Sequence, residues 1–342
     1  MITEYYKING SEGDVTALEK AGEILRAGGL VGFPTETVYG LGASALSPTA
    51  AEKIYAAKGR PSDNPLIVHV ASPEDAEQIA FTSPLYYVLA ERFMPGPLTV
   101  IMPKKDCIPD EVTGGLGTVA VRCPEHPIAR GLISTAGVPV AAPSANRSGK
   151  PSPTSASHVK EDMDGRIDML IDGGDSDIGV ESTVITIADG SCTVLRPGAV
   201  TEDMLRMVCA EVSVDKAVTD PALAGDHPES PGMKYKHYAP NAEVILVEAE
   251  RETFVRFVEE NATENDGVFA AENEKSLYSC KVLVTGETGT PAELNHSLYS
   301  LLRRADELSL SRVYIKCPPR SGEYLALFNR LIRAAAGKIT KF

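Results

Sequence analysis

The chain has 342 residues, 43% of them hydrophobic, and a formal net charge of −14. That length points to two domains, that apolar share excludes wholesale disorder, and no apolar run approaches the ~18 residues of a membrane span. The charge, −10 over residues 1–210 and −4 over 211–342, argues against a broad basic face that grips nucleic acid, so functional cations must be few and local.

The N-terminus lacks the cationic start and apolar core of a signal peptide, and the six cysteines (107, 123, 192, 209, 280 and 317) form no C-x-x-C pair or zinc-spaced cluster. A cytoplasmic protein without a structural metal is the expectation. In chain order, residues 14–26 read as an amphipathic helix with Val15, Leu18, Gly22 and Leu25 on one face, ended by Gly28-Gly29. Residues 30–33 read as a short buried strand. Directly behind it, Pro34-Thr35-Glu36-Thr37-Val38-Tyr39-Gly40-Leu41-Gly42 packs two hydroxyls, a carboxylate, a phenol and two glycines. In open α/β sheets ligands bind beyond strand ends, where glycine lets backbone approach them, so this turn reads as a ligand cradle.

Ser47-Pro48 caps a second helix running to about residue 57. Strands follow at 66–70, 98–102, 119–122, 139–142, 169–171, 182–187 and 193–196, with helical stretches at 76–79, 85–92, 127–134 and 202–208. This interleaving predicts an α/β domain over residues 1–210, built on a mixed, twisted open sheet. Residues 211–240, with Pro221, Gly225, Pro228, Pro231, Gly232 and Pro240, break the rhythm and read as a linker. Strands at 244–247, 267–271, 282–285 and 313–316 then alternate with helices at 252–260, 292–308 and 324–336. They predict a smaller, parallel, Rossmann-like α/β domain over 241–342. Its nearest approach to a dinucleotide loop, Gly286-Glu287-Thr288-Gly289, is weak.

Lys58-Gly59-Arg60-Pro61 fits an ordinary helix stop, with Lys in the last turn, Gly as left-handed cap and Pro beyond. Its position, leading through Asn64 into strand 66–70, also lets a Lys and a forked Arg face the cradle, where they suit a polyphosphate or carboxylate. His69 shares a strand face with Ile67, opposite Leu66, Val68 and Val70; a strand His is commonly a satisfied structural residue. Gly115, Gly117 and Ala120 match G-x-G-x-x-A, but the run leads into a strand. It therefore reads as a turn bringing Thr118 and Arg122 to a ligand, not as a dinucleotide fingerprint. Ala141 to Asn146, Ser182-Thr183 and Arg196-Pro197-Gly198 are polar strand ends, each also readable as a plain turn. Ser230 to Pro240 packs two Tyr, two Lys, a His and a Met between prolines, which suits closing a site better than spacing domains. Phosphate-loop, G-x-S-x-G and HExxH patterns are absent and no nucleophile–base pair stands out, so catalysis by positioning is expected.

Together, Pro34 to Leu41, the Lys58-x-Arg60 pair and the Ser144-x-Asn146 pair resemble the YrdC-type threonylcarbamoyl-AMP synthases. Residues 231–240 resemble the interdomain loop of that family's longer, two-domain form. The likeness covers nearly the whole chain; Glu323-Tyr324-Leu325 departs from the Gly-rich start expected for the last helix. The resemblance implies a YrdC-like domain followed by the Rossmann-like one. It implies that L-threonine, bicarbonate or CO2, and ATP with Mg2+ on its phosphates give threonylcarbamoyl-AMP and pyrophosphate. The product would pass to threonylcarbamoyl-transferring proteins that modify the adenosine beside the tRNA anticodon, without tight tRNA binding by this chain alone. By motif position, Thr37, His69, Arg122 and Ser182 would hold threonine. Lys58, Arg60, Asn64, Thr118, Ser144, Asn146, Arg196 and Tyr238 would line the nucleotide, with Lys58 and Arg60 acting in catalysis. Two rivals share the domain. A hydrogenase-maturation carbamoyltransferase resembles longer chains with zinc-finger cysteine pairs, which are missing here. A non-catalytic RNA-binding module is opposed by the acidic charge.

Overall fold

The computed structural model describes residues 2–9, 13–223 and 238–342. The first domain runs β1 (Glu4–Lys7), α1 (Gly13–Arg26), β2 (Val31–Phe33), β3 (Gly40–Ser44), α2 (Pro48–Lys58), β4 (Ile67–His69), α3 (Pro84–Phe93), β5 (Leu98–Pro103), α4 (Asp110–Thr113), β6 (Thr118–Arg122), α5 (Pro127–Ala136), β7 (Val140–Ala141), α6 (Ala156–Met163), β8 (Met169–Asp172), β9 (Thr183–Ala188), β10 (Ser191–Arg196), α7 (Glu202–Arg206) and β11 (Glu211–Val214). These strands form one mixed sheet in the order β1-β8-β2-β3-β7-β4-β6-β5-β9-β10-β11. The second domain has β12 (Glu243–Glu248), α8 (Arg251–Asn261), β13 (Asp266–Ala270), β14 (Lys281–Val284), α9 (Pro291–Glu307), β15 (Arg312–Lys316), α10 (Leu325–Ala334) and β16 (Thr340–Lys341). Its sheet, ordered β14-β13-β15-β12-β16, is parallel throughout, as the alternation predicts.

The differences from expectation have local causes. The second half of the cradle turn is a strand: β3 pairs antiparallel with β2. Glycine is a poor strand former, but a Cβ on Gly40 or Gly42 would meet the Phe33 ring at 3.0 and 2.9 Å. The ring can lie across β3 only because those positions are bare. In α1 the buried stripe is Ala17, Ala21 and Leu25, while Val15 is exposed; Gly22 abuts the Ala136 backbone, so small residues let α1 close on α5. The helical stretch expected at 76–79 is a 3₁₀ helix that begins earlier, over Pro73–Gln78. Edge strand β1 and helix α6 are additions, as is β11, which pairs with β10 and occupies the start of the expected linker. Residues 224–237, which hold most of the Ser230–Pro240 segment, lie outside the described residues. The loop at Gly286-Glu287-Thr288-Gly289 serves its own helix: the Glu293 carboxylate accepts the amides of Glu287 (3.0 Å), Thr288 (3.3 Å) and Thr290 (3.0 Å). Those bonds hold the Glu293 carboxyl at a pKa of about 2, and the nest is filled from within.

The two domains meet along α9 and α10. All ten residues of α10 are buried, including Asn329, Arg330 and Arg333, because one side packs on its own sheet and the other on the first domain. Val38 and Val180 of the first domain lie in the second domain's apolar core. Arg303 donates to Pro151 O (2.6 Å) and Asp162 (2.7 Å), and Asn329 to Val218 O (2.7 Å). The tightest approach is at Gly179, whose φ is +82° and where a Cβ would lie 2.5 Å from His296 Cα. Gly179→Ala should therefore destabilise the folded chain by ~1–3 kcal/mol through overpacking, beyond the left-handed strain. Urea titration checks this; an unchanged midpoint would refute so close a seam.

Candidate active site

Sheet register gathers the site. Along β4 and its flanking residues, Leu66, Val68 and Val70 face the main core, so Ile67 and His69 face the other way, as the alternation predicts. His69 lies opposite Arg122 and Ile67 opposite Ala120 on parallel β6. Ile67, Ile101, Ala120, Val184 and Leu195 make the apolar floor of this face. The register of β10 slips between Val194 and Arg196 against β9. Simple alternation would turn Arg196 away from Leu195's face; the bulge re-aims it onto the cleft. Because the sheet is mixed, polar strand ends fall at both ends of the strands, and the cleft spans the face between them.

Lining the cleft are Thr35, Thr37, Arg60, His69, Arg122, Ser144, Asn146, Ser152, Glu181, Ser182, Arg196 and Tyr238, among others. Arg122 donates to Thr37 Oγ1 (2.9 Å), Gly96 O (3.3 Å) and Glu36 Oε1. Burial pushes the Glu36 carboxyl up, but the Arg122 charge and hydrogen bond outweigh it and hold it low. Arg196 donates to Ser182 O and Oγ (both 3.1 Å), and Ser182 Oγ is hydrogen-bonded to Thr99 Oγ1 (2.7 Å). Arg60 donates to Asn64 O (3.1 Å) and Pro65 O (3.0 Å); its Nε, like the Asn64 side-chain amide, has no partner among the described residues. Burial lowers the Arg60 pKa to about 10. The His69 ring is fully enclosed, and burial, then Arg122, brings its pKa down to about 3, so the ring is neutral.

Thus Thr37, His69, Arg122, Ser182, Arg60, Ser144, Asn146, Arg196 and Tyr238 come together on one cleft, while Lys58, Asn64 and Thr118 are not among its lining residues. Lys58 Nζ is turned into the protein, donating to Ser144 O and to Asn146 O (2.6 Å). Burial, then Arg60, holds its pKa well below the usual lysine value. It shapes the 144–146 turn. Glu36 stands in the cradle but has no role of its own in the strand-end reading, and two further groups, Ser152 and Glu181, stand in no strand-end pattern. Glu181 accepts from Ser152 Oγ and from two second-domain side chains, Tyr299 and Arg330. No sequence pattern signals a contact made across domains. Among the described residues, no cluster of three or more His, Cys, Asp or Glu is placed to hold a metal.

Residues 23–198 match the Sua5/YciO/YrdC family model, described as "Telomere recombination", and residues 200–336 match that described as "Threonylcarbamoyl-AMP synthase, C-terminal domain". The threonylcarbamoyl-AMP synthase of Bacillus subtilis is 44% identical over 329 residues, 95% of this chain and 94% of that one. That of Pyrococcus abyssi is 45% identical, covering 94% of each. The crystal structure of P. abyssi Sua5 complexed with L-threonine matches at a TM-score of 0.92 and 42% identity, covering all of both chains. A shorter relative, the putative threonylcarbamoyl-AMP synthase of Methanocaldococcus jannaschii, is 34% identical over 58% of this chain and 93% of its own length.

The buried neutral His69 has a consequence for stability. Below pH 6.5, its ordinary value, the unfolded chain takes up a proton that the folded chain refuses until about pH 3. This group's contribution is therefore whole above pH 6.5 and falls with pH, by at most ~1.4 kcal/mol per pH unit. His69→Asn should flatten the stability profile between pH 6.5 and 4. Urea titrations at several pH values decide it; parallel profiles for parent and variant would show that His69 is not held neutral.

Proposed function

The chain belongs to the family of threonylcarbamoyl-AMP synthases in its two-domain form, and we propose that the cleft described above is where it joins L-threonine, bicarbonate or CO2, and ATP. It is an L-threonylcarbamoyladenylate synthase, a nucleotidyltransferase acting in tRNA modification. One observation carries the assignment to this cleft. Arg60, Arg122 and Arg196 converge on one enclosed face; Glu36 already offsets Arg122 and Glu181 is bound by Arg330, so that Arg60 and Arg196 are in no ion pair among the described residues. Such a surplus of fixed cations suits a triphosphate and an amino-acid carboxylate.

In this reading the threonine amine captures CO2 or bicarbonate as a carbamate. A carbamate oxygen then attacks the α-phosphorus, and the bond to pyrophosphate breaks. Arg122 clamps the threonine carboxylate, with Thr37, Ser182 and neutral His69 around it. A hydroxyl-reading pocket favours threonine over an amino acid that is merely isosteric. Arg60, Ser144, Asn146, Arg196 and Tyr238 take the nucleotide; the unpartnered Nε of Arg60, a lining residue, supports a polar ligand at that end. Thr118 belongs there by motif position alone. Lys58 acts one step back, holding the 144–146 turn. Mg2+ enters as part of the substrate, on the ATP phosphates. The protein supplies proximity and preorganised charge. The adenylate then passes to transferases that act on tRNA. Six free thiols and no membrane-crossing helix among the described residues fit a cytoplasmic enzyme.

The purified chain should release pyrophosphate only with ATP, threonine and bicarbonate together. Arg122→Lys should raise the KM for threonine more than that for ATP, and Arg60→Ala the reverse. Each should lower kcat/KM by about 10²-fold or more, the scale of a lost transition-state donor. Equal effects of both variants on both substrates would overturn the two-ended assignment. With a net charge of −14 the chain alone should bind tRNA weakly; submicromolar binding at physiological salt would favour an RNA-binding role instead.

A further inference from the structure

The cleft wall formed by Ser152, Glu181 and Tyr238 is not held by the first domain alone. Arg330, in the middle of α10, is fully buried. Its Nε donates to Glu181 Oε2 (2.8 Å), and its Nη1 to Pro197 O (2.9 Å), one residue beyond Arg196. Its guanidinium carbon stands 5.8 Å from the centre of the Tyr238 ring. Tyr299, on α9, donates to Glu181 (2.8 Å), and its ring lies 5.4 Å from that of Tyr238 at 32°. The Arg330 and Tyr299 bonds both reach Glu181 Oε2, while Oε1 accepts from Ser152 Oγ and lies 3.0 Å from Tyr299 Oη. Both oxygens are therefore committed, and the Tyr238 ring is backed by a cation and an aromatic face. Tyr238 itself has φ +66°, a left-handed conformation that a tyrosine keeps only where its surroundings impose it.

The geometry points to Arg330 and Tyr299 as positioning residues of the synthase: they fix Glu181 and the Tyr238 ring, so that the nucleotide end of the cleft is assembled against the second domain. Neither needs to touch substrate. The inference rests on the proposal that the nucleotide lies beside Arg196 and Tyr238. A purely structural bridge would cost stability and nothing more. A positioning pair must also change where Tyr238 sits and how well ATP binds.

The chain contains no tryptophan, so Tyr238→Trp places a single indole at the wall. In the otherwise native full-length chain its emission should be blue-shifted and shielded from acrylamide. Combined with Arg330→Lys, which keeps the charge but loses the planar fork, the indole should become quenchable. Without the tryptophan, Arg330→Lys and Tyr299→Phe should raise the KM for ATP, about tenfold for the former, and leave that for threonine within about twofold. Arg330→Met should go further where it folds; the milder pair decides the matter where it does not. An indole equally shielded in both backgrounds, with an unchanged ATP KM in folded Arg330→Lys and Tyr299→Phe, would overturn the inference. A released indole with unchanged ATP KM would leave the positioning role standing and instead refute placing the nucleotide at this wall.

Discussion

Arginines gathered on one buried face repel one another, and each costs several kcal/mol to remove from water. Everything else about the cleft follows from how that cost is met. Arg60, Arg122 and Arg196 each donate to backbone carbonyls, at Asn64 and Pro65, Gly96, and Ser182. Carbonyl dipoles lower the cost of burial without cancelling the charge. Two carboxylates are admitted, and each is tied to an arginine: Glu36 to Arg122 and Glu181 to Arg330. For Glu181, burial alone would raise the pKa, but Arg330 and Arg196 and the Ser152 and Arg330 hydrogen bonds bring it to about 2. The result is a positive field fixed by the fold itself, the kind of preorganised charge that electrostatic stabilisation uses.

Placing those cations took unusual backbone. Arg122 reaches the face by ordinary alternation from Ala120. Arg196 does so only through the slipped register of β10. The cradle approaches because Gly40 and Gly42 on β3 carry no Cβ, so Phe33 can lie across it. Lys58 shows the same economy from the other side: the charge nearest the Ser144–Asn146 turn is spent on that turn's carbonyls.

What was legible in the sequence follows this division. Strand ends crowded with Thr, Ser, Asn and Arg mark the cleft, and apolar alternation on β4 shows that His69 and Ile67 share a face, because both signals are local. The parallel second domain is legible for the same reason. The glycine strand β3 hides because its residues resemble a turn. The bulge at Leu195 hides because period-two reasoning assumes an unbroken ladder. Arg330 and Arg333 hide because charged residues on a last helix read as its wet side, and only the docked first domain makes that side dry.

That last point bears on what the second domain is for. A relative matched over 93% of its length by 58% of this chain leaves little room for a second domain, yet it carries the same family name. The arginines that line the cleft, Arg60, Arg122 and Arg196, all belong to the first domain. In this chain, however, Val38 of the cradle and Val180 beside Glu181 are buried in the second domain's core. Arg303 holds the stretch that leads to Ser152, and Arg330 holds Glu181 itself. An interface that threads apolar core through the cradle, and seats its buried charges beside the cleft, cannot loosen without disturbing the site. The second domain is best understood as the rigid back wall against which a generic strand-end cleft is set to its working shape.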